Sequence, residues 1–335
     1  MTATVVTLDP CLGAAAAAAM VELCHRAGPY RMYGDRERLD HPISEGLSQR
    51  QDALAHFVAS GTEHGASLAA RTSYFREEYA YGTHELAAGI APFLHHEAFI
   101  EAAREIHGRP VIEPAIVYGN LMVPGQEHAT HTDVPEFRGA NRKVIPQWLL
   151  VAMHHSGLFA EHRMPIATGI AWFHDCDGGE LVYWPDGADR ERRVHRVGYD
   201  TALVLDTDSV FHGVDRIGSV AASEVPRIRP GTTLVPGDEA WVLVNAAGNT
   251  LGRYDWSALR FSVSWKAYCF ADEHERDTWR DGSDDLTIDV ILDRLIADLV
   301  DRGRVRPDVP RDRELGLVII DEYIRFPLST ATSTG

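Results

Sequence analysis

From residue 111 to residue 270 the chain breaks into short apolar or alternating runs, each closed by glycine, proline or aspartate. Runs of that length with that punctuation fold as strands of a sandwich or barrel. The candidate strands are 115–122, 144–153, 166–173, 180–184, 201–205, 241–244 and 259–270. The flanks read differently. Asp9-Pro10 resembles an N-cap followed by proline at the first helical position, which predicts a helix over 10–27 that stops before Gly28. Leu54, Phe57 and Val58 form a helical stripe, and a further helix is expected over 95–106. Near the other end Ile288, Ile291, Leu292, Leu295, Ile296 and Leu299 share one helical face, with Gly303 as the stop. The expected layout is a single decorated domain over 1–335, mainly β with flanking helices. It has a helical N-terminal flank (1–110), a β core (111–270), a helical C-terminal flank (271–328) and a small, polar, disordered tail (329–335).

Charge narrows the range of partners. The 49 acidic residues outweigh 32 basic ones, a net charge of -17. A phosphate backbone or an anionic lipid surface calls for clustered positive charge, so neither nucleic acid nor a membrane is expected as a partner. The four cysteines are far apart and form no CxxC pair, which fits a reducing, cytoplasmic setting. No apolar run is long enough to span a bilayer.

The chemistry-bearing residues stand out by position. His131-Thr132-Asp133 follows a candidate strand, and residues two apart in extended chain point the same way. One imidazole and one carboxylate can therefore reach one metal. His212, just after the strand expected at 201–205, is the candidate third ligand. Two histidines and a carboxylate on one face of Fe(II) leave open positions for a bidentate co-substrate and dioxygen. In the last core strand Arg260, Ser262, Ser264 and Lys266 alternate with Leu259, Phe261, Val263 and Trp265. The polar set would line the barrel interior, where an arginine needs an anion, and a carboxylate fits it bidentately.

His131-x-Asp133, Asp177-Gly178-Gly179-Glu180-Leu181, Ser209-x-x-His212-x-Val214 and Arg260-x-Ser262, in that order, resemble the Fe(II)/2-oxoglutarate-dependent dioxygenases, in particular their prolyl-4-hydroxylase-like branch. The resemblance covers roughly residues 111–270. It implies a double-stranded β-helix (jelly-roll or cupin-like) core, with Fe(II), 2-oxoglutarate and O2 as cofactor and co-substrates. It also implies His131, Asp133 and His212 as iron ligands, and Arg260 with Ser262 as the pair holding the distal carboxylate of 2-oxoglutarate. Tyr118 and Asn120 resemble positions that touch the co-substrate. The gap between His212 and Arg260 is longer than usual in the family. An insertion over 215–258 is therefore expected to loop out, with a lid as one use for it, and Arg216 becomes a competing anchor. Because Asp133 is present, hydroxylation or a related C–H oxidation is expected rather than halogenation.

The leading expectation is hydroxylation of a small molecule such as an amino acid or a natural-product intermediate, giving succinate and CO2. Three alternatives stand beside it: a peptidyl side-chain hydroxylase, a metal enzyme that does not use 2-oxoglutarate, and a non-catalytic metal-binding barrel. A groove built from 215–258 would favour the peptide. His128 is expected on the face opposite His131, and the pairs His95-His96 and His154-His155 are read as incidental. The C-terminal helix is read as a buttress, with a homodimer contact as the alternative and the oligomeric state open.

Overall fold

The computed structural model describes residues 2–33, 41–51 and 73–327. The stripe of Leu54, Phe57 and Val58 and the tail 329–335 lie outside those residues. In chain order the strands are β1 (Val5–Leu8), β2 (Tyr30–Met32), β3 (Phe75–Tyr81), β4 (His84–Glu85), β5 (Val111–Met122), β6 (His128–His131), β7 (Glu136–Phe137), β8 (Arg163–Met164) and β9 (Ile166–Trp172). They continue with β10 (Leu181–Tyr183), β11 (Arg193–His195), β12 (Thr201–Leu205), β13 (His212–Val214), β14 (Thr233–Val235), β15 (Trp241–Val244), β16 (Thr250–Tyr254) and β17 (Arg260–Phe270).

Two antiparallel sheets make the core. The large one runs β1-β12-β9-β17-β5-β3-β2-β14-β15-β16, and the small one runs β11-β10-β13-β6. Within the large sheet β12-β9-β17-β5 faces the small sheet, giving the jelly-roll arrangement of a double-stranded β-helix. Period-two alternation in β17 builds both faces of that wall. Phe261, Val263, Trp265 and Ala267 pack outward against Phe93, Phe99, Ala102 and Ala103 of the helices Ala91–Leu94 and Glu97–His107. Trp265 donates its indole N–H to the Leu94 carbonyl at 2.7 Å, which satisfies the one polar atom that ring buries. Arg260, Ser262, Ser264 and Lys266 point inward and are all buried.

Three departures from the sequence reading have physical causes. The run over 144–153 contains no strand: it enters the helix Gln147–Ser156, in which Trp148, Leu149, Leu150, Val151, Ala152 and Met153 are all buried. An unbroken apolar run does not separate a buried strand from a helix buried on every side. The helix covers itself with Ile291, Leu292, Leu295 and Leu299 of Ile288–Asp301 and with Leu315 and Ile319 of Arg313–Tyr323, so the C-terminal apolar stripe is consumed within the chain. The N-terminal flank is not chiefly helical in its described part, since β1, β2 and β3 extend the large sheet. Its first helix is Ala14–Ala27, later than Asp9-Pro10 suggested. The Asp200 carboxylate accepts the N–H groups of Leu12 and Gly13 at 2.9 and 2.8 Å and holds the preceding stretch as a bend. Finally, residues 215–258 form no lid. They supply β14, β15 and β16, a meander that joins the large sheet through β2, and none of its residues lines the main cleft. None of the described helices is long and apolar enough to cross a membrane.

Candidate metal centre

His131 closes β6 and His212 opens β13, and the two residues pair directly across the small sheet. Asp133 lies just past β6, its backbone N–H donating to the Thr207 carbonyl at 2.9 Å. His131 Nε2 is 3.6 Å and His212 Nε2 3.8 Å from Asp133 Oδ1, and the two imidazole centroids are 4.4 Å apart. Among the described residues this is the one group of donor side chains close enough together to hold a metal ion.

The surroundings fix which atoms are on offer. His131 Nδ1 lies 2.6 Å from the Ala129 carbonyl and His212 Nδ1 3.0 Å from that of Val210. A carbonyl accepts only, so each Nδ1 carries the proton and each Nε2 turns its lone pair to the centre. Asp133 Oδ2 accepts from Lys266 Nζ and from Thr207 Oγ1, both at 2.7 Å. Thr168 Oγ1 accepts from Lys266 at 2.9 Å and, with the Thr207 proton turned to Asp133, donates its own to Thr207 Oγ1 at 2.7 Å, which closes the ring of contacts. Oδ1 alone remains free to face the histidines. Burial works against the Asp133 charge, but with the Lys266 ammonium as the leading opposing influence the carboxyl is held well below the usual range. Burial also lowers His212, with His131 adding to the effect, to about 4, which keeps that ring neutral near pH 7. Two imidazole Nε2 atoms and one carboxylate oxygen are a donor set that suits Fe(II) and would leave coordination positions open.

Gly213 and the Gly178-Gly179 pair make this packing feasible. A Cβ on Gly213 would sit 2.8 Å from the His128 carbonyl, so only glycine lets β13 press this closely on β6. Gly179 has φ +70°, and a Cβ there would meet Arg260 Cδ at 2.8 Å. Arg260 fills that space. It donates to the Gly179 carbonyl at 2.7 Å and to Ser262 Oγ at 3.1 Å, and it stands over the Trp172 ring at 5.8 Å. Among the described residues no carboxylate pairs with it, and burial lowers its pKa to about 10. It lies three inward positions along β17 from Lys266 and does not line the main cleft. Arg216 points elsewhere: it lies 3.8 Å from Glu127 and is substantially exposed. Asn120 donates to Ser264 Oγ at 3.2 Å, and Tyr118 lies under the Arg76 guanidinium.

His128 departs from the sequence expectation. The β6–β13 register passes from His131↔His212 to His128↔Val214, three residues against two, which is a bulge. The extra residue inverts the alternation and brings His128 to the same side as His131, ring centroids 4.3 Å apart, where it lines the cleft. That cleft, about 1770 Å³, opens from His131, Asp133 and Lys266 past Tyr74, Tyr118, Arg76 and Arg31. The sequence reading missed Arg31, Tyr33, Tyr74 and Arg76 because they lie in a flank that carries no motif. It treated Lys266 as one of an alternating set without seeing its partner. The signal for Lys266 was present: it is one of only two lysines in the chain and sits at an inward position.

Neither a family model nor a curated protein matches the chain. It is similar to solved 2-oxoglutarate/Fe(II) oxygenases at low identity. An oxidoreductase of the 2OG-Fe(II) oxygenase family from Burkholderia pseudomallei is 12% identical, over 59% of this chain and 67% of that one, with a TM-score of 0.33. A Pseudomonas putida prolyl-4-hydroxylase is 14% identical over 76% and 98%, TM-score 0.32. HygX from Streptomyces hygroscopicus, solved with nickel, 2-oxoglutarate and hygromycin B, is 9% identical over 80% and 84%, TM-score 0.37.

A second buried carboxyl stands close by. Among the described residues neither oxygen of Asp208 has a hydrogen-bond partner, and Arg163, 4.0 Å away, gives one nitrogen to both oxygens of Asp206. Burial, against the pull of Lys266, pushes Asp208 up to about 7. The folded-state pKa is therefore above the unfolded one, and the fold retains the proton between about pH 4 and pH 7. Stability is lost as pH rises through that window, by up to about 4 kcal/mol. Asp208→Asn is expected to raise Tm at pH 8 and leave it unchanged at pH 4. An equal shift at both values in a pH-resolved melting series would contradict this account.

Proposed function

We propose that this chain is an Fe(II)- and 2-oxoglutarate-dependent oxygenase that hydroxylates an unactivated C–H bond of a small molecule. One observation carries the reading: the two Nε2 lone pairs and Asp133 Oδ1 converge on one point while every other polar atom of those three side chains is already engaged. Fe(II) with 2-oxoglutarate and dioxygen supplies the oxidising power for C–H cleavage.

The chain's own residues would do the rest. His131, Asp133 and His212 hold the metal. Lys266 cancels the charge of Asp133 and pins Oδ2, which keeps the carboxylate monodentate and preserves an open position. The buried Arg260 guanidinium, without a carboxylate of its own among the described residues, takes the distal carboxylate of 2-oxoglutarate, with Ser262 orienting it. Tyr118 and Asn120 flank the co-substrate on β5. The cleft then brings the substrate C–H to the metal and excludes water from it.

Two measurements test this reading. Succinate release that requires both Fe(II) and 2-oxoglutarate, and that a small-molecule substrate stimulates, supports it; release unaffected by a metal chelator contradicts it. Lys266→Met is expected to weaken 2-oxoglutarate binding about tenfold, because it removes a positive charge facing a dianion and frees Asp133 to close the open position. Calorimetry with Mn(II) in place of iron checks this, and an unchanged affinity would contradict the role.

A further inference from the structure

Across β2 and β3, Arg31 stands directly opposite Arg76, and Arg76 in turn stands opposite Asn120 of β5. Directly paired residues share a face, so both arginines lie on the face that carries Tyr118, Ser264 and Lys266. Both line the cleft that holds His131 and Asp133. Like charges paired across strands are unfavourable, and a bound anion would relieve them. Arg76 is built into place: its guanidinium lies 3.5 Å from the Tyr118 ring centroid and 5.3 Å from that of Tyr33, and its side chain is 11% exposed. Its ion pair with Glu78 is a single contact of 3.4 Å, and Glu78 is 49% exposed. Among the described residues Arg76 therefore keeps donors for a ligand, and its own carboxylate partner lies on the solvent side.

The neighbouring charges define the ligand further. Glu77 and Glu78, next to Arg76 on β3, also line the cleft and set two carboxylates beside the two arginines at this end of it. A dianionic phosphate would be repelled by that pair, whereas a zwitterion matches it. We infer that Arg76, supported by Arg31, seats the carboxylate of an α-amino-acid-type substrate, with the substrate ammonium turned toward Glu78 at the cleft mouth. This rests on the oxygenase reading and deepens it by naming the substrate class.

The test uses the full chain, the standard free amino acids and their primary amides. Succinate release identifies any amino acid that is turned over. Calorimetry with Mn(II) in place of iron reports 2-oxoglutarate affinity separately. The expected result is that at least one amino acid stimulates succinate release, and that its amide has an apparent KM about 10- to 100-fold higher, the loss of a charge-assisted contact. Arg76→Leu should abolish that discrimination while 2-oxoglutarate affinity stays within twofold, and Arg76→Lys should restore part of it. If Arg76→Leu instead weakens 2-oxoglutarate tenfold or more, Arg76 belongs to the co-substrate and the inference is overturned. It is equally overturned if 2-oxoglutarate binds but no amino acid stimulates turnover, or if acid and amide perform alike. If wild-type protein binds no 2-oxoglutarate at all, the oxygenase reading fails first and takes the inference with it.

Discussion

Asp133→Ala is expected to abolish substrate oxidation. The carboxylate supplies one of three donor atoms, and its other oxygen ties Lys266 and Thr207 into place. Removing it takes away a ligand and leaves Lys266 buried without its anion, so the centre gains a positive charge where a cation must bind. Changing groups that merely orient a metal ligand costs ~10–100-fold in metal affinity or activity. Loss of the ligand itself should exceed that, with turnover down by more than about a hundredfold. The measurement is succinate release at saturating Fe(II), alongside bound-metal analysis and a melting curve showing that the variant is folded. Retained turnover in a folded Asp133→Ala protein would exclude Asp133 as a ligand.

Arg260→Leu is expected to raise the KM for 2-oxoglutarate about a hundredfold while the KM for the organic substrate changes little. Arg260 is buried, has no carboxylate partner among the described residues and donates to one carbonyl and one hydroxyl. A guanidinium kept out of water with neutral partners is costly, and an arriving carboxylate would remove that cost. Each charge-assisted hydrogen bond contributes roughly 1.5–3 kcal/mol, and every 1.4 kcal/mol is tenfold in affinity. Initial-rate kinetics with each substrate varied separately give the comparison. An unchanged KM for 2-oxoglutarate would move the anchor to a cation that lines the cleft, Lys266 or Arg76, since Arg216 contacts Glu127 instead.

The ligand triad was legible in the sequence for a simple reason. His131 and Asp133 are two apart in near-extended chain, and the histidine that opens β13 comes from the strand paired with β6. Alternation in β17 likewise announced an inward polar row. What the sequence concealed was whatever depends on a break in alternation or on a contact between distant strands. The β6 bulge reverses the side of His128, and nothing in His-Ala-Thr-His signals an extra residue. The helix Gln147–Ser156 is apolar all round because it is buried all round, so it carries no helical stripe to read. Arg31 and Arg76 meet only because β2 and β3 join the large sheet beside β5, a pairing that residue patterns in the flank do not encode. Lys266 was visible as an inward lysine, but its partner Asp133 lies 133 residues away in sequence.

The centre is expected to bind a metal together with a 2-oxo acid. Its most direct test is an anaerobic titration of the apo-protein with Fe(II) and then 2-oxoglutarate, followed by visible absorption. A saturable charge-transfer band is expected on addition of 2-oxoglutarate, and it should be lost in His131→Ala. Tight Fe(II) binding with no band at saturating 2-oxoglutarate would contradict it and leave a metal site that serves some other chemistry.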